Sequence, residues 1–397
     1  VLAAVGAFAL KLAIAATTHG STDVLLFEAD VAKMERDGMV GLYRDGIATE
    51  WCGRSDTRPC PPFNHPPFMA GVLRAWSALE AGSGVPLRFW LRFSAAVADV
   101  GSLLVLGSLL RRRLSENRTR VALLWFAVSP IAILVSGFHG NTDPIFLFFV
   151  LLAIELVEGS DRPAWLAGAL LGMAMNIKIV PVLLIPVVAL SLSGARRRIE
   201  FAIGTLAAFA IGSLPMVLQA PGLLLSQVFG YRSQSGSWGL SLLALVLQQS
   251  SGLSWMAHVY LRHGTIAALS LLLTFSCWPA PRRDTLFVHA GLVMFLFVSV
   301  IPGFGVQYLV WLVPWVVGLG SGPTVAYFSS ASALLIGYYS TAAGGFPWYL
   351  ANSLARPAWT LPVVLLGLVC WIVVCAITIT YPRRLAAALA ERGAGAA

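Results

Sequence analysis

Between Ser102 and Pro130 the chain reads SLLVLGSLLRRRLSENRTRVALLWFAVSP. One apolar run ends at three consecutive arginines, Arg111 to Arg113; a short polar turn adds Arg118 and Arg120; a second apolar run starts at Val121. Two apolar runs joined by a cationic turn predict a helical hairpin in a bilayer, because a helix needs roughly 20 apolar residues to cross the hydrocarbon core and cytoplasmic loops collect Lys and Arg. The pattern recurs at Arg196 to Arg198, at Arg282 and Arg283, and at Arg383 and Arg384. All four blocks are expected on the cytoplasmic side, which requires an even number of crossings between them.

Composition agrees with that hairpin. The 397 residues are 58% hydrophobic and 11% charged, against roughly 45–50% and about 25% for a soluble domain. An ordinary soluble enzyme is excluded, and so is a disordered chain. Lys and Arg number 27 and Asp and Glu 18, a formal charge of +9. Because the cations sit in short blocks between apolar runs, they are read as orientation signals and not as a nucleic-acid footprint.

The expected fold class is all-α, a polytopic membrane protein of about 12 transmembrane helices forming a single domain over residues 1–397. The spans fall near 1–17, 93–110, 120–136, 144–158, 163–177, 179–194, 200–218, 258–278, 285–301, 305–320, 322–340 and 358–380. The chain starts at Val1 and not at Met, so a trimmed native N-terminus is expected, and the opening run is read as a first span in preference to a signal peptide. A long first outer loop, 18–92, and a second, 219–257, result; counting 238–257 as a span would put Arg282 and Arg283 outside, so it is read as re-entrant or interfacial. No internal repeat is visible. Gly168 and Gly172 have the small-xxx-small spacing that lets helices approach closely.

Chemistry is concentrated near the outer boundary. STDVLLFEADVAKMERDGMVGLY, Ser21 to Tyr43, places Asp23 just beyond the first span. Val24, Phe27, Val31 and Met34 then recur at helical intervals, which predicts a helix over 23–36 lying on the membrane surface. A carboxylate there can serve as a general base or be a helix cap. His139, Asn141 and Asp143 fall between two apolar runs on the same side, with Pro144 making Asp143 a candidate N-cap. Lys178 is a cation at the outer end of an apolar run, suited to an anion such as a lipid phosphate or to snorkelling. Arg232 lies among Tyr231, Trp238, Ser and Gly, and Gln307 and Tyr308 occupy a short outer turn. Asp99 inside a span reads as structural glue. Cys52 and Cys60 share the first outer loop and are expected to form a disulfide in an oxidising compartment; zinc is disfavoured, since His65 is the sole nearby addition.

Taken in order, these residues resemble a family. Asp23 with its surface helix, FNHPPF at Phe63 to Phe68, ADVG at Ala98 to Gly101, SGFHGNTD at Ser136 to Asp143, NIKIVPVLLIP at Asn176 to Pro186 and VQYLVWLVPW at Val306 to Trp315 look like the GT-C superfamily of integral-membrane glycosyltransferases. The likeness is to bacterial enzymes akin to the glucosyltransferases of asparagine-linked glycosylation. It implies a polyprenyl-phosphate hexose donor, a glycan, lipid or protein acceptor, and a site at the outer face of a bacterial inner membrane. Asp23 matches the family's acidic first-loop residue, with Glu28 and Asp30 as fallbacks. Lys178, Arg232 and His139 are expected around the donor phosphate, and Asn64, His65, Asn141, Asp143, Gln307 and Tyr308 along the substrate. The family's Pro-Pro element often opens acidic-aromatic; Asn64-His65-Pro66-Pro67 departs from it. No cofactor is called for. A divalent metal would suit the leaving phosphate, but the sequence has no clear ligand cluster. Walker A, dinucleotide and Gly-x-Ser-x-Gly elements are absent. The rival readings are a carrier or flippase for a lipid-linked solute, and a lipid-linked glycan ligase or polymerase.

Overall fold

The structure is a computed structural model that describes residues 1–47, 63–159, 162–231, 236–248, 252, 254–277, 281–343 and 359–394, with side chains to 383. The expected disulfide pair, Cys52 and Cys60, lies outside the described residues, as does Arg232.

The opening run forms α1 (Leu2–Thr17), and the chain turns at Gly20 into α2 (Thr22–Asp45), bent by 60° from α1. Ser21 starts α2 by accepting the Asp23 N–H through its hydroxyl. The expected apolar face of Val24, Phe27, Val31 and Met34 is buried. The helix runs past the expected end at 36, with one break at Gly38 (φ 72°), a conformation that favours glycine. Next come α3 (Pro67–Ser83), started by a proline at its first turn and stopped by left-handed Gly84, and α4 (Leu87–Arg111). The hairpin continues through α5 (Glu116–Ala127) and α6 (Pro130–Ile133) into a π-helical turn, Leu134–His139, ending at left-handed Gly140.

After that turn lie α7 (Asp143–Gly159), α8 (Ala164–Ile177), a 3₁₀ turn Val180–Leu184, α9 (Ile185–Ser191) and α10 (Ala195–Gln219). They are followed by α11 (Pro221–Leu224), a second π turn Leu225–Phe229, α12 (Gly239–Gln248), α13 (Ser254–Cys277) and α14 (Leu286–Val300). A 3₁₀ segment Val306–Leu312 leads into α15 (Val313–Val316), α16 (Ser321–Ala343) and α17 (Leu361–Ala394). No β-strand occurs among the described residues.

Helices occupy every expected span, yet among the described residues six are long and apolar enough to cross a membrane: Leu87–Arg111, Glu116–His139, Ala195–Gln219, Ser254–Cys277, Arg283–Val300 and Leu361–Arg383. With the bent α1–α2 pair the number is seven. The expected spans at 163–177, 179–194 and 305–320 are shorter apolar helices, Ala164–Ile177, Val180–Ser191 and Val306–Leu319. Pro181, Pro186 and Pro314 explain the last two, because each removes a backbone donor and favours short 3₁₀ pieces. The 238–257 stretch contains the 10-residue α12, about 15 Å long and half the hydrocarbon thickness.

Gly168 and Gly172 do let α8 and α10 meet: a Cβ on either would lie 2.1 Å from Phe201 O or 2.5 Å from Thr205 O. Asp99 joins three segments. It accepts from Lys11 Nζ of α1 at 2.5 Å and from Ser136 Oγ of the π turn at 2.5 Å. At the opposite end Arg112 pairs with Glu155 and Arg113 with Glu158, and Glu158 also accepts the Phe287 N–H at 2.8 Å. This part of the first basic block is therefore cross-linked to α7, and its reading as a pure orientation signal is corrected: the acidic partners lie more than 40 residues away in sequence.

Candidate functional site

Two turns of backbone build the site. Gly20 (φ 101°) and Gly140 (φ 73°) face each other across Val24; a Cβ on either would fall within 2.7 Å of the Val24 Cγ2 atom. Ser21 clamps the turns by donating to the His139 carbonyl at 2.6 Å. Beneath them Arg92, fully buried, donates through Nη2 to Ala15 O and Thr18 O and through Nη1 to Thr18 Oγ1, each at 2.9 Å. It thus satisfies carbonyls left without partners at the end of α1. The first residue of α2 able to do acid–base chemistry, Asp23, is held opposite His139 and Asn141 as a result.

Asp23 Oδ2 accepts from His139 Nε2 at 3.1 Å and from the Asn141 amide. His139 Nδ1 lies 2.9 Å from the Tyr339 hydroxyl, so both ring nitrogens are engaged. Burial pushes the Asp23 carboxyl up, but the His139 charge, the hydrogen bonds of His139 and Asn141 and the Lys178 charge outweigh it and hold the pKa at about 2. Its side chain keeps 27% exposure, toward a cavity of about 190 Å³.

Lining that cavity with Asp23 are Asp30, Asn64, His65, Asn141, Lys178, Gln307 and Tyr308, among others. The structure thus gathers residues from five separate stretches that the sequence reading assigned to one site. Lys178 leaves α8 in extended conformation and reaches Asp143 Oδ1 at 2.7 Å, with its Nζ 5.0 Å from the Tyr308 ring centre and 5.3 Å from that of Trp311. An ammonium has three donors, and one is committed to Asp143. His65 donates through Nδ1 to Ile177 O, 3.1 Å away, and packs edge-on against Phe27. Burial, then the Lys178 charge, pushes it down to about 4, so the ring is neutral.

Three expectations are corrected. His139 was expected at the donor phosphate; it is 3% exposed, does not line the cavity, and both ring nitrogens are engaged. Asp143 was expected along the substrate or as an N-cap, but it is fully buried, accepting from Lys178 and from Trp311 Nε1 at 2.6 Å. Lys178 is accordingly a paired cation and not a lone one. Tyr308, expected along the substrate, lines the cavity and is stacked on Trp311 at 4.1 Å. Of the two fallback acids, Glu28 turns outward to Arg88 at 3.6 Å and stays off the cavity wall, whereas Asp30 lines it. Among the described residues no three of His, Cys, Asp and Glu converge as a metal site.

The family model of dolichyl-phosphate-mannose-protein mannosyltransferases matches residues 64–221, the stretch that carries His65, His139, Asn141 and Lys178. Over 315 residues the chain is 28% identical to a polyprenol-phosphate-mannose-dependent alpha-(1-2)-phosphatidylinositol pentamannoside mannosyltransferase of Mycolicibacterium smegmatis, covering 75% of this chain and 69% of that protein. Both similarities are to glycosyltransferases of the GT-C type. An Archaeoglobus fulgidus oligosaccharyltransferase, solved with a tethered acceptor peptide, aligns with 97% of the chain at a TM-score of 0.42 and 15% identity, and the chain spans 55% of its length.

A second, apolar groove of about 270 Å³ shares Ile179, Val180, Tyr231 and Tyr308 with the polar cavity and continues between the second π turn, α13 and α14. Sequence reasoning missed Lys11, Arg92, Tyr339 and the Trp311 indole as partners. Arg92 was discoverable as a charge inside the apolar run of α4; Tyr339, in an apolar helix, gave no signal.

Proposed function

We propose that the enzyme transfers a hexose, of the mannose or glucose class, from a polyprenyl-phosphate donor to an acceptor hydroxyl with inversion. The observation that carries this reading is one cavity in which an ionised carboxylate, Asp23, and an ammonium, Lys178, face the same space, opening into an apolar groove. The groove suits the first isoprene units of a lipid tail, and Lys178 with Gln307 and Tyr308 suits the phosphate. Arg232, next to Tyr231 in sequence, is a second donor-phosphate contact on its chemistry.

The acceptor oxygen attacks the anomeric carbon as its proton passes to Asp23; the bond from that carbon to the phosphate oxygen breaks, and polyprenyl phosphate leaves with the electron pair. Charge accumulating on the leaving phosphate is stabilised by Lys178. An acid with a pKa near 2 is a weak base in the resting site, but a donor phosphate beside Lys178 cancels one of the charges that holds it down. Donor binding thereby makes Asp23 more basic. His139 and Asn141 fix the carboxylate, leaving Oδ1 for the acceptor. The relative's name specifies a mannose donor, which makes mannose the first sugar to test. The site is proposed at the outer face of a bacterial inner membrane.

Purified enzyme incubated with polyprenyl-phosphate mannose and an alkyl glycoside acceptor should release polyprenyl phosphate in step with product. Asp23→Asn keeps the shape and removes the base, so kcat should fall by roughly 10²–10⁴-fold with donor KM little changed. Transfer by Asp23→Asn at the parent rate would remove Asp23 from the chemistry.

A further inference from the structure

Asp30 follows Asp23 by seven residues in α2, which returns it to the same helix face about 10 Å further along. It is 5% exposed and lines the cavity. Among the described residues nothing donates a hydrogen bond to it and no cation pairs with it. Burial pushes its carboxyl up to about 7. Asp30 lies about two helical turns along α2 from Asp23 and does not line the apolar groove. A buried carboxylate with no partner is costly, and folding gives no return for it here. Sharing the cavity with it are Phe63, packed edge-on against Tyr43 at 5.4 Å and 5.5 Å from the His65 ring, and Ile47. A carboxylate next to a hydrophobic aromatic wall suits a sugar, which offers hydroxyl donors on its edge and C–H groups on its face.

We propose that Asp30 and the Phe63–His65 wall form the acceptor subsite, holding a hexose of the acceptor whose two neighbouring hydroxyls donate to the Asp30 carboxylate. This rests on the reading of Asp23 as base and of the Lys178 end as the donor's. The helix rise of about 10 Å between the two residues leaves room for the bound hexose to present a hydroxyl to Asp23. In this arrangement Asp30 determines which acceptor binds, and Asp23 performs the proton transfer.

The test uses the whole purified enzyme with polyprenyl-phosphate mannose and the octyl glycosides of mannose, glucose and galactose, together with monodeoxy forms of whichever is used best. Asp30→Asn should raise acceptor KM roughly 10–100-fold, the worth of hydrogen bonds to an ionised group, with donor KM within about twofold and kcat at saturating acceptor retained. Monodeoxy acceptors lacking a hydroxyl bound by Asp30 should lose affinity with the parent enzyme and lose none further with Asp30→Asn. A merely structural Asp30 would shift donor KM as well and would leave the deoxy discrimination intact. Unchanged acceptor KM in Asp30→Asn overturns the proposal, as does a parent that transfers to none of the three glycosides. Loss of kcat in Asp30→Asn alongside an active Asp23→Asn would overturn both readings, by making Asp30 the base. An active Asp23→Asn with a raised acceptor KM in Asp30→Asn would remove the assignment of Asp23 alone.

Discussion

Asp23 and Asp30 are the same chemical group on one helix face, separated by their surroundings into opposite protonation behaviour. Asp23 has a folded pKa of about 2, below the ordinary unfolded value of about 3.9. It contributes stability that is present above pH 4 and is lost as pH falls through 2. Asp30 runs the other way: its folded pKa of about 7 lies above the unfolded value, so the folded state holds a proton that the unfolded chain has released. Its stability penalty grows from about pH 4 to about pH 7 and is constant above. Asp30→Asn should therefore be more thermostable than the parent at pH 8, by on the order of a few kcal/mol, with the difference vanishing near pH 4. Thermal unfolding in detergent at the two pH values checks it. A stabilising substitution that weakens acceptor binding is the trade expected of a binding residue. Lys178 answers to a different test: Lys178→Ala should raise donor KM about tenfold or more and also destabilise, because it strands the buried Asp143 carboxylate. Lys178→Arg keeps the charge and should retain most donor affinity.

Elements position these groups, and most of that positioning was not legible in the sequence. The surface helix after the first span could be read from Val24, Phe27, Val31 and Met34, all buried, because helical periodicity is a local property. The partners of Asp99 and Asp143 could not, since Lys11 is 88 residues from Asp99 and Trp311 is 168 from Asp143. A single sequence carries no signal for such pairs. The π turn Leu134–His139 escaped for a related reason: it aims His139 at Asp23 through an inserted residue that no periodicity announces. Its register is fixed from below by the Lys11–Asp99–Ser136 network. Removing one partner strands a charge, so Lys11→Met should cost about 3–5 kcal/mol, and adding Asp99→Leu to it should recover much of the loss. Unfolding of the two variants measures this directly. Gly140→Ala should disturb the same register, as its Cβ would meet the Val24 side chain at 2.4 Å on a backbone with φ 73°. Turnover should fall while the helix content read by circular dichroism stays at the parent level.

For the whole molecule, the pattern of apolar runs and cationic blocks supplied the helical class and nearly every helix position, because both follow from the solvent the chain folds in. Length was the weak part. Prolines at 181, 186 and 314 divide apolar runs that look continuous in sequence into 3₁₀ and short α pieces, so a run of sufficient hydrophobicity is not always a helix of sufficient length. Those broken segments carry Lys178 at one end and Tyr308 and Trp311 at another, and bring them within 5.3 Å of one another. Irregular backbone at membrane depth is tolerated where it is covered by protein or lines a cavity, and here it lines the site. The topology we propose keeps the basic turns inside and the Asp23 cavity outside. With native thiols blocked first, a membrane-impermeant maleimide applied to intact cells should label Ala81→Cys, exposed in the last turn of α3, and should spare Ser115→Cys and Ala195→Cys, exposed beside the first two basic blocks. After permeabilisation all three should react. Labelling of Ala195→Cys from outside, with Ala81→Cys protected, would invert the map and move the sugar-transfer site to the cytoplasmic face.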